Sequence, residues 1–308
     1  MGAVGPDAAG FIACPAPAKI NLFLHVTGRR ADGYHTLQTA FLMLDHGDVL
    51  HFRIRADGEI HRLNDVPGVS PEQDLVIRAA RLLKERTQCS QGVEIRVDKH
   101  LPMGGGLGGG SSDAATTLLA LNKLWQLGLQ RETLQEWALT LGADVPFFVY
   151  GCSALAEGVG EALTPLSVPQ AWYVVVEPPV AVPTPEIFRD KGLTRDTEAV
   201  IISASPVGGG LQVDVQEWFQ QHTRNDLQPV ACRLYPEVQK ALDALAPFGS
   251  PGVAPRMSGS GACVFLPCAG QAQAEKVVNE LSEKRPECGR VWCAASMDLH
   301  PLHAWVSD

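Results

Sequence analysis

The segment Leu101-Pro102-Met103-Gly104-Gly105-Gly106-Leu107-Gly108-Gly109-Gly110-Ser111-Ser112-Asp113 puts six glycines into the seven residues from 104 to 110. An alternating run, Val93 to Asp98, precedes it, and apolar residues at helical spacing (Ala115, Leu118, Leu119, Leu124) follow it. A loop in that position lets successive backbone N–H groups converge on one point at the positive end of a helix, which suits phosphate. Glycine matters there because side chains would block the approach and several residues need positive φ. A Walker A loop wants lysine before the hydroxyl residue, and here Gly110 precedes Ser111. Gly104, Gly106 and Gly109 satisfy G-x-G-x-x-G, but the preceding strand alternates and no acidic residue lies between 114 and 131 to hold a ribose. What remains is a glycine loop ending in hydroxyls, where one of Ser111 and Ser112 caps the helix and the other approaches a phosphate or Mg2+.

Other residues with chemical capacity are scattered. Lys19 and Asn21 lie two apart in Lys19-Ile20-Asn21-Leu22-Phe23-Leu24-His25-Val26, so their side chains share one face and reach the same ligand. Lys99 closes the strand before the glycine loop, as a solvated lysine or a nucleotide contact. Asp144 follows a helix that Gly142 ends and precedes Pro146, which biases the backbone away from helix. On spacing alone Asp144 is open between a surface turn aspartate and a group with a chemical role, and Tyr34 and His35 are open between ordinary turn residues and a binding role.

The elements that must position these groups follow from periodicity. Residues 19–26 alternate as a half-covered strand with Ile20, Leu22, Leu24 and Val26 inward. Phe41 to Arg55 is extended with a break at Asp45–Asp48, and helical spacing runs over 74–86, 112–127 and 131–141. Strict alternation favours antiparallel sheet. Six prolines between 165 and 185 flank the apolar strand Trp172 to Glu177 and mark a boundary. The triple glycine 208–210 reads as a surface loop. Helices near 233–246 and 271–284 then alternate with strands at 263–266 and 291–294. The mixed order predicts an α+β fold with a first unit over 1–164, a second over 165–308, and residues 1–14 a disordered extension.

The 308 residues carry a net charge of −9, with no block of five Lys or Arg, which speaks against nucleic acid. No uncharged apolar run reaches about 18 residues, the N-terminus lacks the build of a signal peptide, and Pro6 stands where myristoylation wants Ser or Thr. These features predict a soluble, cytoplasmic protein with no membrane partner. Eight dispersed cysteines without a C-x-x-C read as reduced apolar residues.

The glycine loop resembles the second motif of the GHMP kinase superfamily. Met257 to Cys263 resembles the third motif of the same superfamily, whereas Pro17 to Leu24, Gly28 to Thr39 with its member-specific Asp32-Gly33-Tyr34-His35 run, Leu141 to Phe148 and Ala156 to Glu161 resemble one member family in particular, the one that acts on a cytidine-diphosphate-linked alcohol. The resemblance implies a two-lobed fold of mixed and antiparallel sheets with helices packed on them and the active site in the cleft between lobes. It implies phosphoryl transfer from ATP with Mg2+ to the 2-hydroxyl of a cytidine-diphosphate-linked methylerythritol, in a monomer or homodimer. By that resemblance Asp144 is the carboxylate that accepts or orients the hydroxyl proton, and Lys19 is its charge partner. Lys99, Pro102, Gly104, Gly105, Gly106, Leu107, Gly108, Gly109, Gly110, Ser111 and Ser112 would hold the nucleotide, with Ser111 or Ser112 at the metal. Asn21, Tyr34, His35, Asp144 and Phe188 would hold the acceptor, its cytosine between Tyr34, His35 and Phe188. Asp113 stands where the superfamily often has Asn, and is expected to face away from the phosphates. Other small-alcohol GHMP kinases, a diphosphate decarboxylase and a non-catalytic nucleotide-binding relative remain as alternatives.

Overall fold

A computed structural model describes residues 5–65, 69–70, 72–201 and 215–308. The triple glycine 208–210 and the first four residues of the N-terminal extension lie outside the described residues. Strands β1 (Ile12–Arg29) and β2 (His35–Arg55) form a long antiparallel hairpin. Strand β4 (Gly92–Asp98) pairs antiparallel with β2, and β3 (Ile60–Arg62) pairs parallel with β4. The hairpin of β5 (Ala154–Glu157) and β6 (Ala162–Pro165) adds to β2 higher up. Helices α1 (Leu75–Thr87), α2 (Gly109–Leu124), α3 (Arg131–Leu139) and α4 (Val145–Tyr150) contribute the helical side of the first core.

The second half is a sheet of β7 (Trp172–Glu177), β8 (Arg256–Met257), β9 (Val264–Cys268) and β10 (Arg290–Met297), all antiparallel. Its helices are α5 (Thr184–Arg189), α6 (Val215–His222), α7 (Gln228–Leu234), α8 (Pro236–Leu245) and α9 (Gln271–Lys284). One helix was expected near 233–246; Tyr235 before Pro236 divides the stretch into α7 and α8. The two sheets join where Ser296 and Met297 of β10 pair with Leu44 and Met43 of β2. The boundary expected after residue 164 falls within β6. Beyond β10 the chain returns to the first half, where Leu302 and Val306 enter its core.

Three further expectations change. Strand β1 is not half-covered, because Lys19, Asn21, Phe23 and His25 are as buried as their apolar neighbours. It belongs to every core, with Ala16 in the first, Leu24 and Val26 in the second, and Ile20 and Phe23 in the layer where the sheets meet. The break at Asp45–Asp48 is instead a bulge within a continuous β2. Pro17 pairs with Gly47 and Ala18 with Leu44, leaving two extra residues on β2. Residues 5–14 are ordered rather than disordered. The Asp7 carboxylate accepts from the N–H groups of Ala9 and Phe11 (2.9 Å each), Phe11 is buried under the Arg53 guanidinium (4.6 Å to the ring centroid), and residues 12–14 begin β1.

Candidate active site

The glycine loop runs from β4 to α2, and the rest of the molecule fixes it from behind. The N–H of Lys19 donates to Leu107 O (2.9 Å), the N–H of Cys263 to Gly105 O (3.1 Å), and the Ser258 hydroxyl to Gly106 O (2.8 Å). With its carbonyls engaged inward, the loop is left to present N–H groups outward. Gly104, Gly106 and Gly108 have φ of +68°, +73° and +71°. Gly108 is the N-cap of α2 and offers no side chain, so the first-turn N–H groups of a buried helix stay available to a ligand. A Cβ on Gly106 would stand 2.0 Å from Ser258 O, so this residue has no substitute.

Behind the loop the β2 bulge delivers Asp48, whose carboxylate accepts from the N–H groups of His100 and Leu101 and from Lys99 Nζ. Lys99 Nζ also donates to Asp113 Oδ2 (2.9 Å). Asp113 therefore does not face away as expected; it is buried, lines the cavity and binds the one cation that two carboxylates share. Burial pushes its pKa up to about 7, with Asp48 adding to the shift and Lys99 opposing it. Burial alone would lower the Lys99 pKa, but Asp113 and Asp48 outweigh it and raise it. A folded-state pKa above the ordinary carboxylate value means the folded state holds a proton that the unfolded chain has released. Ionisation therefore weakens the fold progressively between pH about 4 and about 7. Asp113→Asn removes that titration. Thermal melts should show the variant more stable than the parent at pH 8, with the gap closing towards pH 4; a gap independent of pH would refute this account.

Lys19 is buried on β1 beside the loop, its Cγ 3.0 Å from the point a Gly108 Cβ would occupy. Its Nζ donates to Asn21 Oδ1 (2.6 Å), lies 3.3 Å from Asp144 Oδ2 and sits 5.1 Å from the centre of the Phe41 ring. Asn21 Nδ2 donates to Thr39 Oγ1 (2.9 Å), and the Asn21 N–H to Ser258 Oγ (3.2 Å). Asp144 is the N-cap residue of α4, yet its side chain accepts no capping bond, so the carboxylate is held by Lys19 with a third of the side chain exposed. Pro146 in the first turn of α4 fixes the backbone just after it.

At the far end of the β1–β2 hairpin, Tyr34 is largely exposed, and His35 stacks on Phe188 from α5 (centroids 5.1 Å apart, planes at 29°). Burial lowers the His35 pKa, and Arg195 and Arg29 lower it further. A single cavity of about 1070 Å³ is lined from the glycine loop through Lys19, Asn21 and Asp144 to Tyr34, His35 and Phe188. Lys99, Pro102, Gly104, Gly105, Gly106, Gly108, Gly109, Gly110 and Ser111 line it too. Two of the expected nucleotide residues do not: Leu107 is buried in the core between the sheets, and Ser112 is buried with no partner for its hydroxyl among the described residues. Thr39, Phe41, Thr184, Arg195, Ser258 and Ser260 stand at this site or beside it without being singled out by the sequence pattern. Ser258 and Ser260 belong to the Met257–Cys263 motif, which was their signal, whereas nothing in the aperiodic stretch around Arg195 distinguishes it.

The turn after β8 braces the glycine loop through Gly105 O and Gly106 O and the strand of Lys19 through the Asn21 N–H, in a chain that belongs to the GHMP kinases. The families described as GHMP kinases N terminal domain and GHMP kinases C terminal match residues 74–152 and 212–287. A 4-diphosphocytidyl-2-C-methyl-D-erythritol kinase of Aromatoleum aromaticum is 56% identical over 293 residues, covering 95% of this chain and 96% of that protein. One from Ralstonia nicotianae is 55% identical over 289 residues, covering 94% and 95%. The chain belongs to the 4-diphosphocytidyl-2-C-methyl-D-erythritol kinase family of the GHMP kinases. A crystal structure of 4-(cytidine 5'-diphospho)-2C-methyl-D-erythritol kinase superposes with a TM-score of 0.72 at 36% identity, covering 92% of this chain and 98% of that one. A homoserine kinase from Cytophaga hutchinsonii shares the fold, with a TM-score of 0.68 at 18% identity over 94% and 95% of the chains. No helix among the described residues is long and apolar enough to cross a membrane.

Proposed function

We propose that this protein transfers the γ-phosphoryl group of Mg-ATP to the 2-hydroxyl of 4-diphosphocytidyl-2-C-methyl-D-erythritol. The observation that carries the reading is the continuity of the cavity, which joins a phosphate-binding helix terminus, a lysine–carboxylate pair and an aromatic base site in one space. The triphosphate lies against the N–H groups of Gly108, Gly109, Gly110 and Ser111. Ser111, which lines the cavity, is the hydroxyl suited to the metal-bound phosphates, and Ser112 remains beneath the helix. Mg2+ arrives as part of the nucleotide substrate and neutralises phosphate charge. Lys99 acts on the nucleotide through the loop it braces, since its ammonium is already engaged by two carboxylates.

Asp144 orients the acceptor hydroxyl and takes its proton while the new O–P bond forms and the bond from Pγ to the bridging oxygen of ADP breaks. Lys19, fixed by Asn21 and Asp144, counters charge at the transferring group. Tyr34 and Phe188 enclose the cytosine and His35 meets its polar edge. The protein's net charge of −9 makes this local arrangement of cations and helix dipole necessary, because the surface as a whole repels both substrates.

A panel of alcohols incubated with the purified chain and Mg-ATP tests the reading. Phosphate should pass to the CDP-linked alcohol and not to mevalonate or homoserine; transfer to either of those instead would overturn the substrate. Phe188→Ala should raise KM for the CDP-linked alcohol about tenfold or more through lost stacking, while KM for ATP stays put. An unchanged acceptor KM would remove Phe188 from the base site.

A further inference from the structure

The guanidinium of Arg195 lines the same cavity and makes four hydrogen bonds. Its Nη2 donates to Phe188 O (2.9 Å) and Asp190 O (2.7 Å), its Nη1 to Leu193 O (3.0 Å), and its Nε to Nε2 of the His35 ring (3.1 Å). The last of these carries chemical information. A guanidinium has only donors, so His35 Nε2 must present its lone pair, and the proton of the neutral ring then resides on Nδ1. A proton on Nε2, in the other tautomer or in the imidazolium, would oppose the Arg195 N–H directly. The depressed His35 pKa, which burial, Arg195 and Arg29 produce together, agrees with this.

We infer that Arg195 is a positioning residue of the acceptor site: it holds His35 as the Nδ1–H tautomer, so the ring offers a bound heterocycle a hydrogen-bond donor. The same guanidinium also donates to the carbonyl of Phe188, whose ring stacks on His35, so the bond to Nε2 sets the polarity of a ring that belongs to the aromatic wall. A donor there selects a base edge bearing acceptors, as O2 and N3 of cytosine do. That last step rests on the proposed function, whereas the tautomer rests on the hydrogen bond alone.

Two measurements on the full chain decide the matter. Long-range proton–nitrogen correlation spectra of the His35 ring, near neutral pH, should show Nδ1 protonated and Nε2 bare; a proton on Nε2 overturns the inference whatever the enzyme's substrate. Arg195→Met should raise KM for the CDP-linked alcohol about tenfold, leaving kcat and KM for ATP within about twofold. His35→Asn supplies an amide N–H near the Nδ1 position and has no tautomer to set. In that background Arg195→Met should change acceptor KM by less than about twofold. An equal tenfold rise there would assign Arg195 a purely structural role in holding residues 188–193. Should the unaltered chain fail to phosphorylate the CDP-linked alcohol, the proposed function falls, and the spectra still decide the tautomer independently.

Discussion

Asp144→Ala is expected to lower kcat by about 10²- to 10⁴-fold while nucleotide binding persists. The geometry separates these two effects. The carboxylate caps no helix N–H, and its one described partner is Lys19 Nζ at 3.3 Å, so its removal unties nothing in the glycine loop. The loop is braced by Leu107 O, Gly105 O and Gly106 O, none of which depends on Asp144. Lys19 remains hydrogen-bonded to Asn21 at 2.6 Å after the truncation, so the buried ammonium keeps a partner and a large loss of stability is not anticipated. Single-turnover phosphoryl transfer should collapse while titration with an ATP analogue gives a near-parental Kd. Retention of full turnover would take Asp144 out of the mechanism and leave the cavity without its proton acceptor.

Gly108→Val attacks the other substrate. With φ at +71°, a β-branched residue is strained there by about 1–3 kcal/mol, and the added Cβ would lie 2.9 Å from Phe148 Cζ and 3.0 Å from Lys19 Cγ. Neither neighbour yields readily, since Phe148 is in the core and Lys19 is pinned to Asn21 and Asp144. The backbone of the loop must therefore move, and with it the N–H groups that begin α2. The expected result is a rise of about 10- to 100-fold in apparent KM for ATP, checked alongside circular dichroism to show that the fold persists. An unchanged KM for ATP would dissociate the loop from the nucleotide.

The glycine loop was legible because its physical requirement, backbone approach without side chains, leaves a compositional trace that no packing can imitate. Helices α1, α3 and α9 are legible for a similar reason, since each buries a stripe whose period is written locally, whereas α2 is buried on nearly every side from Ser112 to Asn122. Strand β1 departs from its sequence pattern because alternation reports one apolar face and says nothing of what covers the other. Here Phe41, the glycine loop and the turn at Ser258 enclose Lys19 and Asn21, and all are distant in sequence. The inward turn of Asp113 is hidden from the sequence for the same reason, as its partner Lys99 is itself claimed by Asp48 from a β2 bulge that leaves no periodic mark. Arg195 had no local signal at all, because its role consists of bonds to His35 and to three carbonyls in an irregular segment. Ordered residues near the N-terminus, with Phe11 beneath Arg53, likewise depend on a strand some forty positions away.

The braces on the glycine loop come from both halves of the chain, with Lys19 on one side and Ser258 and Cys263 on the other. The nucleotide cradle is thus a seam, and neither half owns it. A fragment ending after β6 would retain every glycine of the loop and the whole of α2 but lose two of the three ties that hold the loop's carbonyls. Such a fragment would not serve as a free-standing ATP-binding module, and genetic dissection of this fold would remove nucleotide and acceptor recognition in the same cut.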